Sequence, residues 1–479
     1  VQAFSFRNID KFSTPSLITR LTNDVTNVQN AFMMIIRMLA RSPFMLILSA
    51  AMAIRISPRL SSIILAVIPV LAGLMAFTAV KAHPRFTAML EKYDLMNRRT
   101  QENLIAIRVV KAFVRGDYES VRFEDSARAL RVTQVRAEKL IVLTAPFMQM
   151  AMYFTIIAVL WTGGGDIVRG TMTTGELISF ISYITQILSS LMMLTFVFVG
   201  LVLSTASIRR ITEVLDEVPA ISEESADPSL KVPDGSIRFE DVCFSYAEDP
   251  GNLTLSHINL DIASGETIGI IGGSGSSKTT LVQLIPRLYD PLSGRILVGG
   301  HDLKEYTTKH LRDSIGMVLQ KNVLFSGTIA ENLRWGNENA SDEAVRDAAS
   351  AAQAAPFISA FPDGYDTRIE QGGVNVSGGQ KQRLCIARAL VKDPKILILD
   401  DSTSAVDTAT DALIRQALRS RRAGTTTLII AQRISSVMDA DRILVMDDGK
   451  IDAIGTHEEL LRTNRIYREV YESQQKGAM

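Results

Sequence analysis

The chain has 479 residues, 47% of them hydrophobic, and its 51 Lys and Arg balance 51 Asp and Glu to a formal net charge of zero. That length exceeds one ordinary core, so at least two domains are expected, and without a basic excess the chain does not read as a nucleic-acid binder. Cys243 and Cys385 stand in no metal-ligand or disulfide spacing, which excludes a disulfide scaffold and fits a reduced cytosol.

From the start, Val1 is followed by no signal-peptide pattern, and the chain reads as a fragment whose beginning lies upstream. Residues 1 to about 30 are polar and helical in pattern, with Ser13, Thr14 and Pro15 marking a helix start. Charge then becomes very unevenly placed. No charged side chain occurs between Arg41 and Arg55, Arg59 and Lys81, Lys139 and Asp166, or Glu176 and Arg209. A bilayer core takes about 20 apolar helical residues to cross, so four spans are predicted at 31–56, 60–80, 140–163 and 177–205. The first qualifies if Arg37 and Arg41 sit near a membrane face or line a wet cavity. Ser57-Pro58 forms the tight turn between the first two spans, and Gly163-Gly164-Gly165 with Asp166 is expected as the short loop between the last two. The segment 81–139 is rich in Lys and Arg, including Arg98, Arg99, Arg108, Lys111 and Arg115. Basic loops stay in the cytoplasm, which places that segment inside and Ser57-Pro58 outside.

The last two spans carry Phe147, Met148, Met150, Met152, Phe154, Phe180, Met192, Met193, Phe196 and Phe198. Met and aromatic surfaces adapt to varied apolar ligands, and helix packing or lipid contact explains the same residues equally well. Gln149 and Gln186 are the better cavity candidates, because polar side chains avoid lipid.

Residues 1–210 are thus predicted as an all-α transmembrane bundle. Residues 211–235 form a linker, acidic and proline-containing from Asp216 onward, and 236–479 a second domain. From Ile237 the pattern turns to strand alternation at Ile237, Phe239, Val242, Phe244 and Tyr246. Strands and helices then alternate, which implies a layered α/β domain.

Ile268-Gly269-Ile270-Ile271 is a short apolar strand running into Gly272-Gly273-Ser274-Gly275-Ser276-Ser277-Lys278-Thr279-Thr280, and helical periodicity resumes at Leu281, Leu284 and Ile285. Strand, glycine-rich loop, Lys-Thr and helix are the context of a Walker A phosphate loop. Its backbone N–H groups and helix N-terminus cradle phosphate oxygens. Lys278 is expected on the β- and γ-phosphates and the Thr279 hydroxyl on Mg²⁺. Ser277 departs from the pattern, since glycine normally precedes the lysine and serine tolerates fewer backbone conformations. Lys395 to Asp401 reads as a buried strand ending in two carboxylates, a Walker B motif in which Asp400 would hold Mg²⁺ through water.

Between the two lies Val376-Ser377-Gly378-Gly379-Gln380-Lys381-Gln382-Arg383, which resembles the signature motif of the ATP-binding cassette (ABC) family. The remaining positions then match in order: Tyr246 the adenine-stacking A-loop residue, Gln320 the Q-loop glutamine that senses Mg²⁺, Ser404-Ala405-Val406-Asp407 the D-loop. Gly449-Lys450-Ile451 and Gly455 to Leu460 match the closing segment. The whole chain resembles a half-transporter of the type I (type IV) exporter fold that lacks its first two membrane helices. The resemblance implies an α/β P-loop ATP-binding cassette domain with a helical subdomain, ATP and Mg²⁺ as cofactors, and a cytoplasmic ATP-binding domain under a multi-pass bundle in a bacterial plasma membrane. Asn23-Asp24-Val25 resembles the first coupling region to that domain and Arg115 to Ser126 the second.

Two positions depart from the family where chemistry is done. The glutamate that orients the attacking water in the family is replaced by Asp401, and the switch histidine, which in the family contacts the γ-phosphate, by Gln432 in Ile429-Ile430-Ala431-Gln432-Arg433. The site is therefore expected to bind ATP and hydrolyse it weakly. Ser377, Gly378, Gly379 and Gln380 are intact and would complete the site of a second exporter half, so a heterodimer is expected over a homodimer. The implied cargo is a lipophilic small molecule, drug or lipid. The alternative is a non-hydrolytic, ATP-gated regulator or channel-like subunit.

Overall fold

The structure is a computed structural model that describes residues 1–420 and 424–476; the side chains of Phe196 and Phe198 lie outside the described residues. The chain forms two compact units, one from Thr14–Asp216 and one from Val1–Ser13 together with Glu217–Met479.

The first unit is helical. Ser13 adopts a positive φ of 57° and separates the short helix Phe6–Phe12 from the long run Thr14–Ile56, which contains wider π-type turns at Arg20–Asp24 and Ile35–Leu39. Ser57, in extended conformation, caps the next helix by accepting from the Leu60 N–H, and Pro58 opens it where no amide hydrogen is needed. That helix, Pro58–Ile105, is followed by the short Ile107–Ala112 and by Gly116–Val168 and Thr174–Leu215. Among the described residues, four helical stretches are long and apolar enough to cross a membrane: Thr14–Ile56, Pro58–Ile105, Pro146–Val168 and Thr174–Leu194. At 1.5 Å per residue the 53-residue helix spans about 80 Å, well beyond the roughly 30 Å hydrocarbon core.

Three sequence expectations are corrected here. Gly163, Gly164 and Gly165 continue the helix Gly116–Val168, and the turn falls at Arg169–Thr173, where Gly170 takes a φ of 75°. A Cβ on Gly163 would lie 2.6 Å from Leu177 Cδ1, so this glycine serves close helix packing rather than a bend. Asn23-Asp24-Val25 is interior to the long first run, with Asp24 1% exposed and bonded to Arg210; the segment grouped with the other unit is Val1–Ser13. Similarly, Arg115 to Ser126 lies at the start of a long helix, while the separate short helix is Ile107–Ala112. The apolar core of this unit includes Leu60, Ile64, Met148, Val159, Leu177, Phe180 and Ile184. Met148 and Phe180 are therefore packing residues, whereas Phe147, Met150, Phe154, Met192 and Met193 are exposed. Gln186 accepts from the Ser49 hydroxyl at 3.2 Å, and Gln149 is exposed.

The second unit is α/β. A four-stranded antiparallel sheet orders Leu255–Ile262, Ile237–Phe244, Ser293–Val298 and His301–Asp302. The inward set Ile237, Phe239, Val242 and Phe244 changes phase because the strand is irregular between Phe239 and Val242. A six-stranded sheet orders Lys450–Gly455, Arg442–Asp447, Thr267–Gly272, Thr426–Ile430, Ile396–Asp400 and Ile315–Val318, parallel except at its first pair. Its central strands are continuous apolar runs because both faces are covered. A helical subdomain of Ile329–Arg334, Asp342–Ala351, Ala355–Ala360 and Gly378–Val391 packs around Leu333, Val345, Ile358 and Leu384. Register pairs Ile430 with both Ile270 and Asp400, so the segments after Ile271, Asp400 and Ile430 emerge at one edge. Open α/β sheets bind ligands at that carboxyl edge.

Candidate functional site

The strand Thr267–Gly272 ends in backbone that only glycine fits: Gly272 has a φ of 157° and its Cβ would meet the Met446 carbonyl oxygen at 2.2 Å. Gly275 follows at φ 84°, and Ser277 takes the left-handed conformation, φ 67° and ψ 23°, immediately before the helix Lys278–Leu284. The loop is thus formed with serine where glycine would be unstrained. Lys278 folds over it, its Nζ donating to the carbonyls of Gly272 (2.9 Å) and Gly273 (2.7 Å) and to Ser276 Oγ (3.0 Å). Burial pulls the lysine's pKa down, against the opposing pull of Asp400 and Asp401. Gly273, Ser274 and Gly275 are exposed along the loop, while Ser276 and Thr280 are buried beneath it.

Next to the loop, Thr279 Oγ1 donates to Asp400 Oδ1 at 3.1 Å. Asp400 is 1% exposed, burial raises its pKa, and its second oxygen, Oδ2, has no hydrogen-bond partner among the described residues. A buried, unsatisfied carboxylate oxygen beside a threonine hydroxyl is a donor set suited to a hard divalent cation. Asp401 turns away with a φ of 47°, and its Oδ2 accepts from Gln432 Nε2 at 2.7 Å. Burial raises the Asp401 pKa; the bond from Gln432, the charges of Lys278 and Arg433 and a contact with Gln320 oppose the rise. The two positions that depart from the expected glutamate and histidine are therefore bonded to each other. Gln320 is exposed, in a bend two residues beyond the edge strand Ile315–Val318.

Tyr246 lies beyond the strand Ile237–Phe244, 47% exposed, edge-on to Phe244 and Tyr289 at centroid distances of 4.9 and 5.3 Å. Its hydroxyl is 3.1 Å from Thr280 Oγ1 and donates to Gln283 Oε1 at 3.4 Å. The aromatic face is thereby carried to the helix that follows the phosphate loop.

Ser377 caps the helix Gly378–Val391: its Oγ accepts from the Gln380 N–H at 3.3 Å, and Gln380 Oε1 accepts from the Ser377 N–H at 2.9 Å. This reciprocal capping box leaves an exposed Ser377-Gly378 at a helix N-terminus, a place that favours anions. A Cβ on Gly379 would meet the Ala405 carbonyl oxygen at 2.9 Å, so the helix approaches the 404–407 loop closely. Gln382, to which the signature motif assigns no role, is buried and bridges the two elements. Its Nε2 donates to Ser404 Oγ at 3.1 Å, and its Oε1 accepts from the Ala405 N–H at 2.9 Å. A polar residue on the apolar face of a helix was the available signal. Asp407 caps the helix Thr408–Ser420 through the Thr410 N–H at 2.9 Å. The phosphate loop, Asp400, Asp401, Gln432 and Gln320 end or follow strands of the parallel sheet, Tyr246 joins them through Thr280 and Gln283, and Ser377 to Gln380 sit at the N-terminus of the helix Gly378–Val391.

A family model described as "ABC transporter" matches residues 255–404, and one described as "ABC transporter transmembrane region" matches residues 1–191. The chain is 41% identical to an uncharacterised ABC transporter ATP-binding protein of Bacillus subtilis (strain 168), over 99% of this chain and 82% of that one. It is 36% identical to an ATP-dependent lipid A-core flippase of Desulfotalea psychrophila, over 96% and 80%. Among solved structures it resembles a bacterial Atm1-family ABC exporter with ATP bound, with a TM-score of 0.87, 28% identity, and 99% and 82% of the two chains covered.

Proposed function

The chain belongs to the ABC transporter family, as a multi-pass membrane exporter half of the Atm1-family fold that uses ATP to drive transport, and from that premise we propose that it forms a heterodimer, clasps ATP in a weakly hydrolytic site of its own, and completes its partner's site. The bond between Gln432 Nε2 and Asp401 Oδ2 carries the reading. A carboxylate one methylene shorter than glutamate, held on a neighbouring amide, is poorly placed to orient an attacking water. In a head-to-tail dimer each ATP lies between one Walker loop and the other half's signature helix. Ser377, Gly378, Gly379 and Gln380 retain a competent capped N-terminus for that task.

Within this chain, Tyr246 stacks the adenine, the backbone from Gly272 to Thr280 surrounds the phosphates, and Lys278 binds the β- and γ-phosphates. Thr279, Gln320 and Asp400 would hold Mg²⁺, with the unsatisfied Asp400 Oδ2 as the observation that favours it. When bound, the ion neutralises charge on the β- and γ-phosphate oxygens. Ser404 links the backbone of Asp401 to Gln382 of the signature helix, and Asp407, the other D-loop residue, caps the helix that follows. ATP binding draws two such units together and turns a membrane cavity outward, because the nucleotide binds the closed form more tightly.

The cargo is proposed as a lipophilic small molecule, drug or lipid. The flippase named above and the exposed Phe147, Met150, Phe154, Met192 and Met193 support that class. The basic segment 81–139 supports a cytoplasmic ATP-binding unit under a bacterial plasma membrane. The test is ATPase activity of the purified chain alone and mixed with an exporter half bearing the Walker B glutamate. Turnover is expected in the mixture and near none alone; brisk turnover by the chain alone overturns the heterodimer. The Asp401–Gln432 bond also favours a second reading, an ATP-gated regulator, and hydrolysis-dependent uptake into inside-out vesicles would decide against it.

A further inference from the structure

The loop that carries Gln432 is held in place by a helix from far along the chain. The helix Arg465–Lys476 buries Tyr467 in a cluster with Ile434, Val437, Ile443 and Leu460, and the Tyr467 hydroxyl is 2.6 Å from His457 Nδ1. Asn464 fastens the start of the same helix, its Oδ1 accepting from the Tyr467 N–H at 2.8 Å and its Nδ2 donating to Asp452 Oδ2 at 2.6 Å. Two turns on from Tyr467, Gln474 meets the loop with both ends of its amide. Its Nε2 donates to the Gln432 carbonyl oxygen at 2.7 Å, and its Oε1 accepts from the Ile434 N–H at 2.9 Å. This is the pairing a neighbouring strand would offer, supplied by one side chain to a stretch of irregular backbone.

We propose that Gln474 is a positioning residue of the ATP site, which fixes the backbone at Gln432 so that this amide keeps one N–H on Asp401 and directs the other to the terminal phosphate of a nucleoside triphosphate. The amide of Gln432 has two N–H donors, and Asp401 Oδ2 takes one at 2.7 Å. Which way the second points depends on the backbone that Gln474 clamps on both sides of Arg433. The inference rests on the reading of Gln432 as a γ-phosphate contact, and it needs no hydrolysis.

Equilibrium binding of ATP and of ADP to the full purified chain tests it. Gln474→Ala is expected to weaken ATP binding about three- to tenfold, the worth of one hydrogen bond, and to leave ADP binding unchanged. Gln474→Glu keeps side-chain length and the acceptor for Ile434 but forfeits the donor, and it should lose the same preference while preserving the fold. Gln475→Ala, one residue on and bonded to the Tyr471 hydroxyl, should change nothing. In a Gln432→Ala background the effect of Gln474→Ala should vanish, because the group being positioned is gone. An intact ATP preference in both Gln474 variants, equal losses for ATP and ADP, or full additivity with Gln432→Ala would each overturn the inference. A wild-type chain that does not distinguish ATP from ADP overturns the γ-phosphate reading of Gln432, and the inference with it.

Discussion

Lengthening Asp401 by one methylene tests the proposed weakness of the site most directly. Asp401→Glu extends the carboxylate by about 1.5 Å, and a displacement of about 1 Å in a catalytic group is worth about a hundredfold in rate, or about 2.7 kcal/mol. In the wild-type chain that carboxylate is anchored by Gln432 at 2.7 Å. Moving it breaks a bond to a charged group worth about 1.5 kcal/mol. The single substitution is therefore expected to raise turnover about tenfold, and Asp401→Glu with Gln432→His about a hundredfold, since the double change removes the competing anchor. The assay is single-turnover release of phosphate from labelled ATP, with the other half's Walker B glutamate replaced so that only this site counts. ATP affinity is measured alongside and should move little. Equal rates for wild type and the double variant would refute the argument that reach and anchoring limit this site.

Three further outcomes follow from the geometry. Ser277 already holds the left-handed conformation, so Ser277→Gly should leave ATP affinity within about threefold and add about 0.5–1 kcal/mol of stability, read from thermal or denaturant unfolding. Burial raises the Asp400 pKa in the folded chain; the stability this group contributes is present below its unfolded pKa and lost as pH rises through the folded value. Asp400→Asn should therefore raise the melting temperature at pH 7, lose that advantage at about pH 4 and below, and abolish the Mg²⁺ dependence of ATP binding. In the helical unit, Arg210 Nε donates to Asp24 Oδ2 at 2.8 Å while its Nη2 bonds the other oxygen. Arg210→Ala would strand a buried carboxylate at a cost of about 3–5 kcal/mol, visible as a lower unfolding midpoint, and Asp24→Asn in that background should recover most of it.

The sequence made legible whatever depends on neighbours in the chain. Glycines and Lys-Thr between a strand and a helix mark the phosphate loop, two carboxylates close an apolar strand, and uncharged runs bounded by Arg and Lys mark the membrane helices. It misled where a residue serves a partner distant along the chain. Gly163 to Gly165 read as a turn, but Gly163 admits Leu177 to the helix surface. Asn23-Asp24-Val25 read as a coupling region, whereas Asp24 is buried and bonded to Arg210, far downstream. Tyr246 continued the strand alternation on paper, yet the strand ends at Phe244 and leaves its ring edge-on to Phe244 and Tyr289. The Asp401–Gln432 bond and the Gln474 clamp involve side chains brought together only by strand register and a returning helix, so no spacing rule points to them.

One buried glutamine has a consequence for how a pair of such halves behaves. Gln382 ties the signature helix to Ser404 and Ala405, a few residues past the carboxylates of this chain's own site. In the proposed dimer, the tip that grips a neighbour's nucleotide cannot shift without tugging the strand end beside its own. Occupancy on one side is then reported to the other through the Gln382 amide and the close approach of Gly379 to Ala405, and by thermodynamic reciprocity the message runs equally in both directions.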